Sequence, residues 1–179
     1  VLATNPPIHT HYMPAMAEPV KIYDTWFEPY ISEEELLTRI QAMADTLNRN
    51  YEGLNPLFIG VLKGAAFFCT ELVKRFNDSC ELDFIKVNSY QQMESSGEVQ
   101  EALGLSTALN ARHVILLEDI VDTGVTLSKL LSDLAEQAPA SLRIAALTMK
   151  PAAVQEPVSV PYLGFEIPNE FVVGFGLDY

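Results

Sequence analysis

The chain has 179 residues, 49% of them apolar and 20% charged, an ordinary globular composition with enough material for one domain and a sizeable core. Its formal net charge of −13 argues against nucleic acid or an anionic membrane as the main partner, because binding to those surfaces is driven by clustered Lys and Arg; an anionic small substrate would have to be held locally. No apolar run approaches the length of a membrane span, and the N-terminus lacks a charged segment followed by an apolar core, so the expected location is the cytoplasm.

Residues 1–31 hold five prolines, at positions 6, 7, 14, 19 and 29, without helical or strand periodicity, and are expected to run extended over the surface. His9 and His11 are read as surface residues, since two histidines without a third ligand make a poor metal site. Ser32-Glu-Glu-Glu35 has the form of a capping box, and Leu36, Leu37, Ile40, Met43, Ala44 and Leu47 continue at helical spacing as far as Asn48. Leu57 to Leu62 reads as a buried strand. It passes through Lys63-Gly64 into a helix bearing Phe67, Phe68, Leu72, Val73 and Phe76. Cys69 falls in that helix and Cys80 beyond it, without metal spacing, so both are expected as free thiols. Asp83 to Tyr90 alternates like a strand, and the polar stretch 91–102 reads as a loop.

Val114 to Leu117 is an unbroken aliphatic run, as in a strand buried on both faces of a parallel sheet, and it is expected to end at Glu118-Asp119. Two adjacent carboxylates repel unless something polar or cationic sits between them, such as a sugar diol or a metal-bound ligand. Asp122-Thr-Gly-Val-Thr126 follows, then Leu127, Leu130, Leu131 and Leu134 on one helical face. In this strand, loop and helix the N–H groups of residues 123–126 lie free at a helix N-terminus. With the Thr123 and Thr126 hydroxyls they form a nest for a phosphate, and Gly124 permits close backbone approach. No Gly-Lys-Ser/Thr follows and no glycine triplet is present, which sets aside a Walker loop and a dinucleotide fingerprint.

Ser141 to Thr148 is a further strand, ending at Met149-Lys150-Pro151. Leu163 to Ile167 and Phe171 to Tyr179 close the chain as short strands or extended pieces. Strand and helix alternate from 57 to 148, which predicts an α/β fold with a parallel sheet, right-handed crossovers and a ligand at the carboxyl ends of the strands. Lys63, Ser89-Tyr90, Glu118-Asp119 and Lys150 all stand at such ends.

Leu116-Leu-Glu-Asp-Ile-Val-Asp-Thr-Gly-Val-Thr-Leu127 resembles the phosphoribosyl-pyrophosphate (PRPP) motif of the type I phosphoribosyltransferases. With Val61-Leu-Lys-Gly64, Asn88-Ser-Tyr90 and Phe165-Glu-Ile-Pro-Asn-Glu-Phe-Val-Val-Gly-Phe-Gly-Leu-Asp-Tyr179, nearly the whole chain resembles the hypoxanthine-guanine phosphoribosyltransferases. The resemblance implies the type I fold, a parallel sheet flanked by helices, in a single domain whose small hood comes from about 1–31 and 151–179. It implies Mg²⁺-dependent transfer of phosphoribosyl from PRPP to N9 of a 6-oxopurine, giving IMP or GMP and pyrophosphate, in a homodimer or homotetramer.

The same resemblance assigns residues to roles. Glu118 and Asp119 would bind the ribose hydroxyls directly or through Mg²⁺, with Asp178 joining the metal shell. Thr123, Gly124, Val125 and Thr126 would take the 5′-phosphate, and Asp122 would act as general base or acid at purine N7. Lys63 and Gly64, with a cis peptide before the lysine, would contact pyrophosphate, and Ser89 and Tyr90 would belong to a lid. Lys150 would donate to the purine O6, disfavouring adenine; Phe171 would stack on the base, and Ile120, Val172 and Asp178 would complete its surroundings. Two departures from the family pattern are Asn88, where a basic residue is common, and Val125, where some members have Lys; Lys86 could compensate. A xanthine-preferring transferase and a non-catalytic nucleotide-sensing regulator are the alternative readings.

Overall fold

The computed structural model describes residues 8–9, 18–86 and 104–177. Six parallel strands form one sheet: β1 (Ile8–His9), β4 (Leu57–Leu62), β5 (Glu81–Lys86), β6 (His113–Val121), β7 (Ser141–Met149) and β8 (Tyr162–Glu166), in the spatial order β1-β8-β7-β6-β4-β5. The helices are α1 (Glu33–Asn50), α2 (Ala66–Val73) and α3 (Val125–Ala135). A separate antiparallel hairpin joins β2 (Val20–Ile22) to β3 (Thr25–Phe27). The strand order reverses between β4 and β6, and such a switch point opens a crevice at the carboxyl ends of the two strands.

Each helix follows from its sequence. The Ser32 hydroxyl accepts from the Glu35 N–H at 3.2 Å while the Glu35 carboxylate accepts from the Ser32 N–H at 3.0 Å, completing the capping box. Ile40, Met43, Ala44 and Leu47 of α1, with Phe68, Cys69 and Leu72 of α2, build the core on one face of the sheet; Leu127, Leu130 and Leu134 of α3 build it on the other. Both cysteines are free thiols, as expected.

Several expectations need correction. The chain before α1 is not featureless, since Ile8–His9 extends the sheet and residues 20–27 form the hairpin. Tyr162–Glu166, placed by sequence within the hood, is a strand of the main sheet. Residues 171–177 form no strand beyond the single bridge of Gly174 with Leu177. Phe76, expected within α2, lies past the helix end, and Phe67 is in the helix but exposed. The proposed strand beyond Lys86 and the loop 91–102 lie outside the described residues.

The largest correction concerns β6, which does not stop at Glu118 but runs through both carboxylates to Val121. Ile115 and Leu117 pack in the α1/α2 core and Leu116 in the α3 core, yet Ile120 rejoins the first and Val121 the second. Regular alternation would put Leu117 and Val121 on the same face, so the pleat slips by one residue between them. The neighbouring strand slips with it: Leu147 lies in the first core and Met149 against the second. The register is undisturbed, pairing Glu118 with Ala146 and resuming at Ile120 with Thr148. The Thr148 hydroxyl donates to the Asp119 carbonyl at 2.8 Å within the slipped row.

Beyond the two residues paired to β1, the outer edge of β8 is satisfied by a side chain. Arg39 of α1 is buried and donates from Nε to the Gly164 carbonyl at 2.8 Å and from Nη2 to the Leu163 carbonyl at 2.6 Å. Burial lowers its pKa from the ordinary arginine value. Arg39→Met should leave two buried acceptors unsatisfied and reduce the unfolding free energy by about 2–4 kcal/mol, read as a shift of the urea midpoint at constant slope.

Candidate active site

The crevice at the switch point is built from the ends of β4 and β6. The turn after β4 carries Lys63, exposed, and Gly64, whose missing side chain leaves room for the Asp119 carboxylate; a Cβ there would overlap Asp119 Oδ2. The peptide between Leu62 and Lys63 is cis, as the family resemblance implied.

Adjacent side chains in a regular strand face opposite sides of the sheet, but the slipped pleat lets the Glu118 and Asp119 carboxyls interact directly. Burial, and then the Asp119 charge, pushes Glu118 well above the usual carboxyl range, even though the side chain keeps some solvent contact. Burial also raises Asp119, against the opposing effect of the Ile120 N–H that donates to it at 3.0 Å. Among the described residues no Lys, Arg or His forms an ion pair with either carboxyl. Beneath them Cys69 is desolvated and lies near Glu118, which pushes its thiol up to about 12 and makes it inert packing. The pair is therefore an acceptor site that gains by meeting hydroxyls or a cation.

Beyond β6 the chain turns outward. Asp122 is exposed, and its carboxylate stands 3.5 Å from Nζ of the buried Lys150, which follows β7 on the adjacent strand. The Lys150 N–H donates to the Val121 carbonyl at 2.9 Å, tying the two strand ends together. Ile120 is half-buried on the α1/α2 core.

The loop at 122–124 leads into α3, where the first helical hydrogen bond runs from the Ser128 N–H to the Gly124 carbonyl at 2.8 Å. The N–H groups of Val125, Thr126 and Leu127 consequently have no helical acceptor. Both Val125 and Thr126 are exposed. Gly124 is left-handed at φ 78°, and a Cβ would strike the Glu156 carbonyl. Glycine is thus required by the segment packed behind the loop, a reason different from the ligand approach inferred from sequence. That segment also donates from the Gln155 and Glu156 N–H groups to the Thr123 carbonyl at 2.9 and 3.1 Å.

The C-terminal segment closes one side. Phe171 is exposed rather than in the core, and its ring tilts against Phe27 of β3 at a centroid distance of 6.2 Å, so the N- and C-terminal segments meet there. Val172 packs against the α1/α2 core. Of the residues expected at the site, Lys63, Gly64, Glu118, Asp119, Asp122 to Thr126 and Lys150 stand at the carboxyl edge of the sheet. Ser89, Tyr90 and Asp178 lie outside the described residues. Sequence reasoning missed Phe27, Gln155, Glu156 and Thr148. Three of these act through backbone or ring contacts that leave no motif; Thr148 could have been noticed as a hydroxyl in an aliphatic strand.

The phosphoribosyl transferase domain family matches residues 31–179. The hypoxanthine-guanine phosphoribosyltransferase of Lactococcus lactis subsp. lactis is 44% identical over 150 residues, covering 83% of this chain and 81% of the relative. That of Streptococcus mutans is 43% identical, covering 83% of each. A crystal structure of a hypoxanthine-guanine phosphoribosyltransferase from Bacillus anthracis superposes with a TM-score of 0.74 at 31% identity, over 84% of this chain and 87% of the other. No helix among the described residues is long and apolar enough to cross a membrane. The parallel sheet, the carboxyl pair at its switch point and these relatives together place the chain in the hypoxanthine-guanine phosphoribosyltransferase family, the purine-salvage branch of the phosphoribosyltransferases.

Proposed function

We propose that this enzyme transfers the 5-phosphoribosyl group of PRPP to N9 of hypoxanthine or guanine, acting in the cytoplasm as a homodimer or homotetramer. The observation that carries the choice of base is the ammonium of Lys150 set 3.5 Å from the carboxylate of Asp122. A 6-oxopurine presents O6 and N7 on one edge. Lys150 offers donors only and suits O6, while Asp122 offers an acceptor for the proton at N7. The 6-amino group of adenine would face a donor instead.

In the reaction the bond from the anomeric carbon to pyrophosphate breaks, the bond to N9 forms, and the purine proton passes to Asp122. The free N–H groups at the start of α3, with Thr123 and Thr126, take the 5′-phosphate; Lys63 and Gly64 meet the pyrophosphate; Phe171, Ile120 and Val172 surround the base. By the family resemblance, Ser89 and Tyr90 would serve to exclude water. Glu118 and Asp119 hold the ribose hydroxyls. A buried carboxyl pair with no basic partner among the described residues also fits a hard divalent cation, and Mg²⁺ would be held by Glu118, Asp119 and Asp178, largely through substrate oxygens. Bound there, the metal would neutralise the leaving pyrophosphate.

Pyrophosphate release should be measured with hypoxanthine, guanine, xanthine and adenine, with and without Mg²⁺; turnover of adenine alone, or full activity in EDTA, would overturn the proposal. Lys150→Gln should lose a charge-assisted hydrogen bond of on the order of 1.5–3 kcal/mol, lowering kcat/KM for hypoxanthine and guanine by roughly ten- to a hundredfold while the relative use of adenine rises. A common loss for all four bases would make Lys150 structural. Asp122→Asn keeps the shape and removes the proton acceptor, so kcat should fall at least about a hundredfold with PRPP affinity much less affected.

The carboxyl pair kept for the ligand should cost stability in its absence. Because the folded-state pKa of Glu118 lies above the unfolded one, the native state binds more protons and loses stability as the pH rises from the ordinary carboxyl range of about 4. Glu118→Gln should therefore raise Tm at pH 7.5, at about 2–4 °C per kcal/mol regained for a chain of this size. The gain should shrink as the pH approaches about 4. An unchanged or lowered Tm at pH 7.5 would contradict this reading of the pair.

A further inference from the structure

The turn Gly174–Leu177 follows the residues assigned to the base, yet it is packed on the loop assigned to pyrophosphate. Gly174, Phe175 and Gly176 have φ of 102°, 49° and 96°, three successive residues in left-handed backbone. Gly174 and Leu177 exchange hydrogen bonds, from the Leu177 N–H at 3.0 Å and from the Gly174 N–H at 3.4 Å, which closes a tight turn with Phe175 and Gly176 at its centre. Such turns need positive φ at both central positions. Glycine adopts it freely, whereas a phenylalanine there is an outlier that other contacts must hold.

Two contacts hold it. The Phe175 ring tilts against Phe67 at the start of α2 with a centroid distance of 5.9 Å. A Cβ on Gly176 would overlap the Gly64 carbonyl and lie 3.1 Å from the Phe67 ring. Phe67 itself is 60% exposed, so burial in the core does not explain an aromatic residue at this position. We infer that Phe67 and Phe175 form a clasp that holds the base-side turn on the pyrophosphate loop, making Phe67 a positioning residue for both ligands although it belongs to neither subsite. The kinetic half of this inference rests on the function proposed above; the clasp itself does not.

Both halves are tested with Phe67→Ala, Phe67→Tyr and Gly176→Ala. Hydrogen exchange of the Leu177 amide in the ligand-free protein reads the clasp without any turnover. It should quicken in Phe67→Ala and Gly176→Ala and stay near wild type in Phe67→Tyr, whose added hydroxyl can point to solvent. In steady-state assays Phe67→Ala should raise KM for PRPP and for hypoxanthine by about three- to tenfold, the range that an aromatic pair confers, with kcat held within about twofold. In a double-mutant cycle with Phe175→Ala, which also removes the packing of Phe175 on the α1/α2 core, the combined effect on both KM values should fall short of the sum of the single effects by the share the ring pair carries. Unchanged Leu177 exchange in Phe67→Ala overturns the clasp; faster exchange with both KM values unmoved overturns its positioning role. If wild type turns over no purine while Phe67→Ala still frees Leu177, the clasp stands and the proposed function is what fails.

Discussion

Two carboxyl groups in successive positions of one buried strand are a constraint that the surrounding structure must accommodate. Desolvation disfavours the charge of both, and the Asp119 charge further disfavours that of Glu118, while the hydrogen bond from Glu118 favours the charged form of Asp119. A regular strand would separate them to opposite faces. Here the pleat of β6 and β7 slips in register, Thr148 holds the displaced carbonyl, and Gly64 gives up a side chain so that Asp119 has room. The cost is accepted at the one place where the strand order reverses and the sheet opens a crevice. Stability is given up where charge complementarity toward a ligand is gained.

Much of this architecture could be read from residues alone, and the reason is local. The capping box at Ser32, the aliphatic runs of β4, β6 and β7, and the leucine spacing of α3 each put their signal within a few residues, so periodicity and turn chemistry suffice. The candidate site was legible for a related reason, since Glu118, Asp119, Asp122 and the Thr123–Thr126 stretch are contiguous, and their resemblance to a family motif fixed their order. What was not legible depends on distant backbone. The expectation that β6 would end at Glu118-Asp119 followed the end of the aliphatic run, but ladder pairing with β7 continues past both carboxylates. The hairpin at 20–27 has only three residues per strand, too few to show alternation, and it gains support from Phe171, some 140 residues later. Phe67 was read simply as part of a helix, and helical spacing cannot reveal that its ring meets a turn about a hundred residues later.

A chain with net charge −13 has to bind a substrate rich in phosphate without a basic surface. Its means are dipoles and a few placed cations rather than overall field. The unpaired N–H groups at the start of α3 carry partial positive charge and bring no counter-ions of their own. Lys150 is buried, so its charge acts over a short, weakly screened distance. The carboxyl pair would be converted from a liability to an attraction by a divalent cation carried with the substrate. Each of these effects falls off within a few ångströms and depends on exact loop placement. That explains why so many contacts around the site serve only to fix backbone: Gln155 and Glu156 on Thr123, Lys150 on Val121, and Gly176 on Gly64. In a protein whose long-range field repels its substrate, affinity has to come from the precision of short-range contacts, and the rigid sheet edge supplies it.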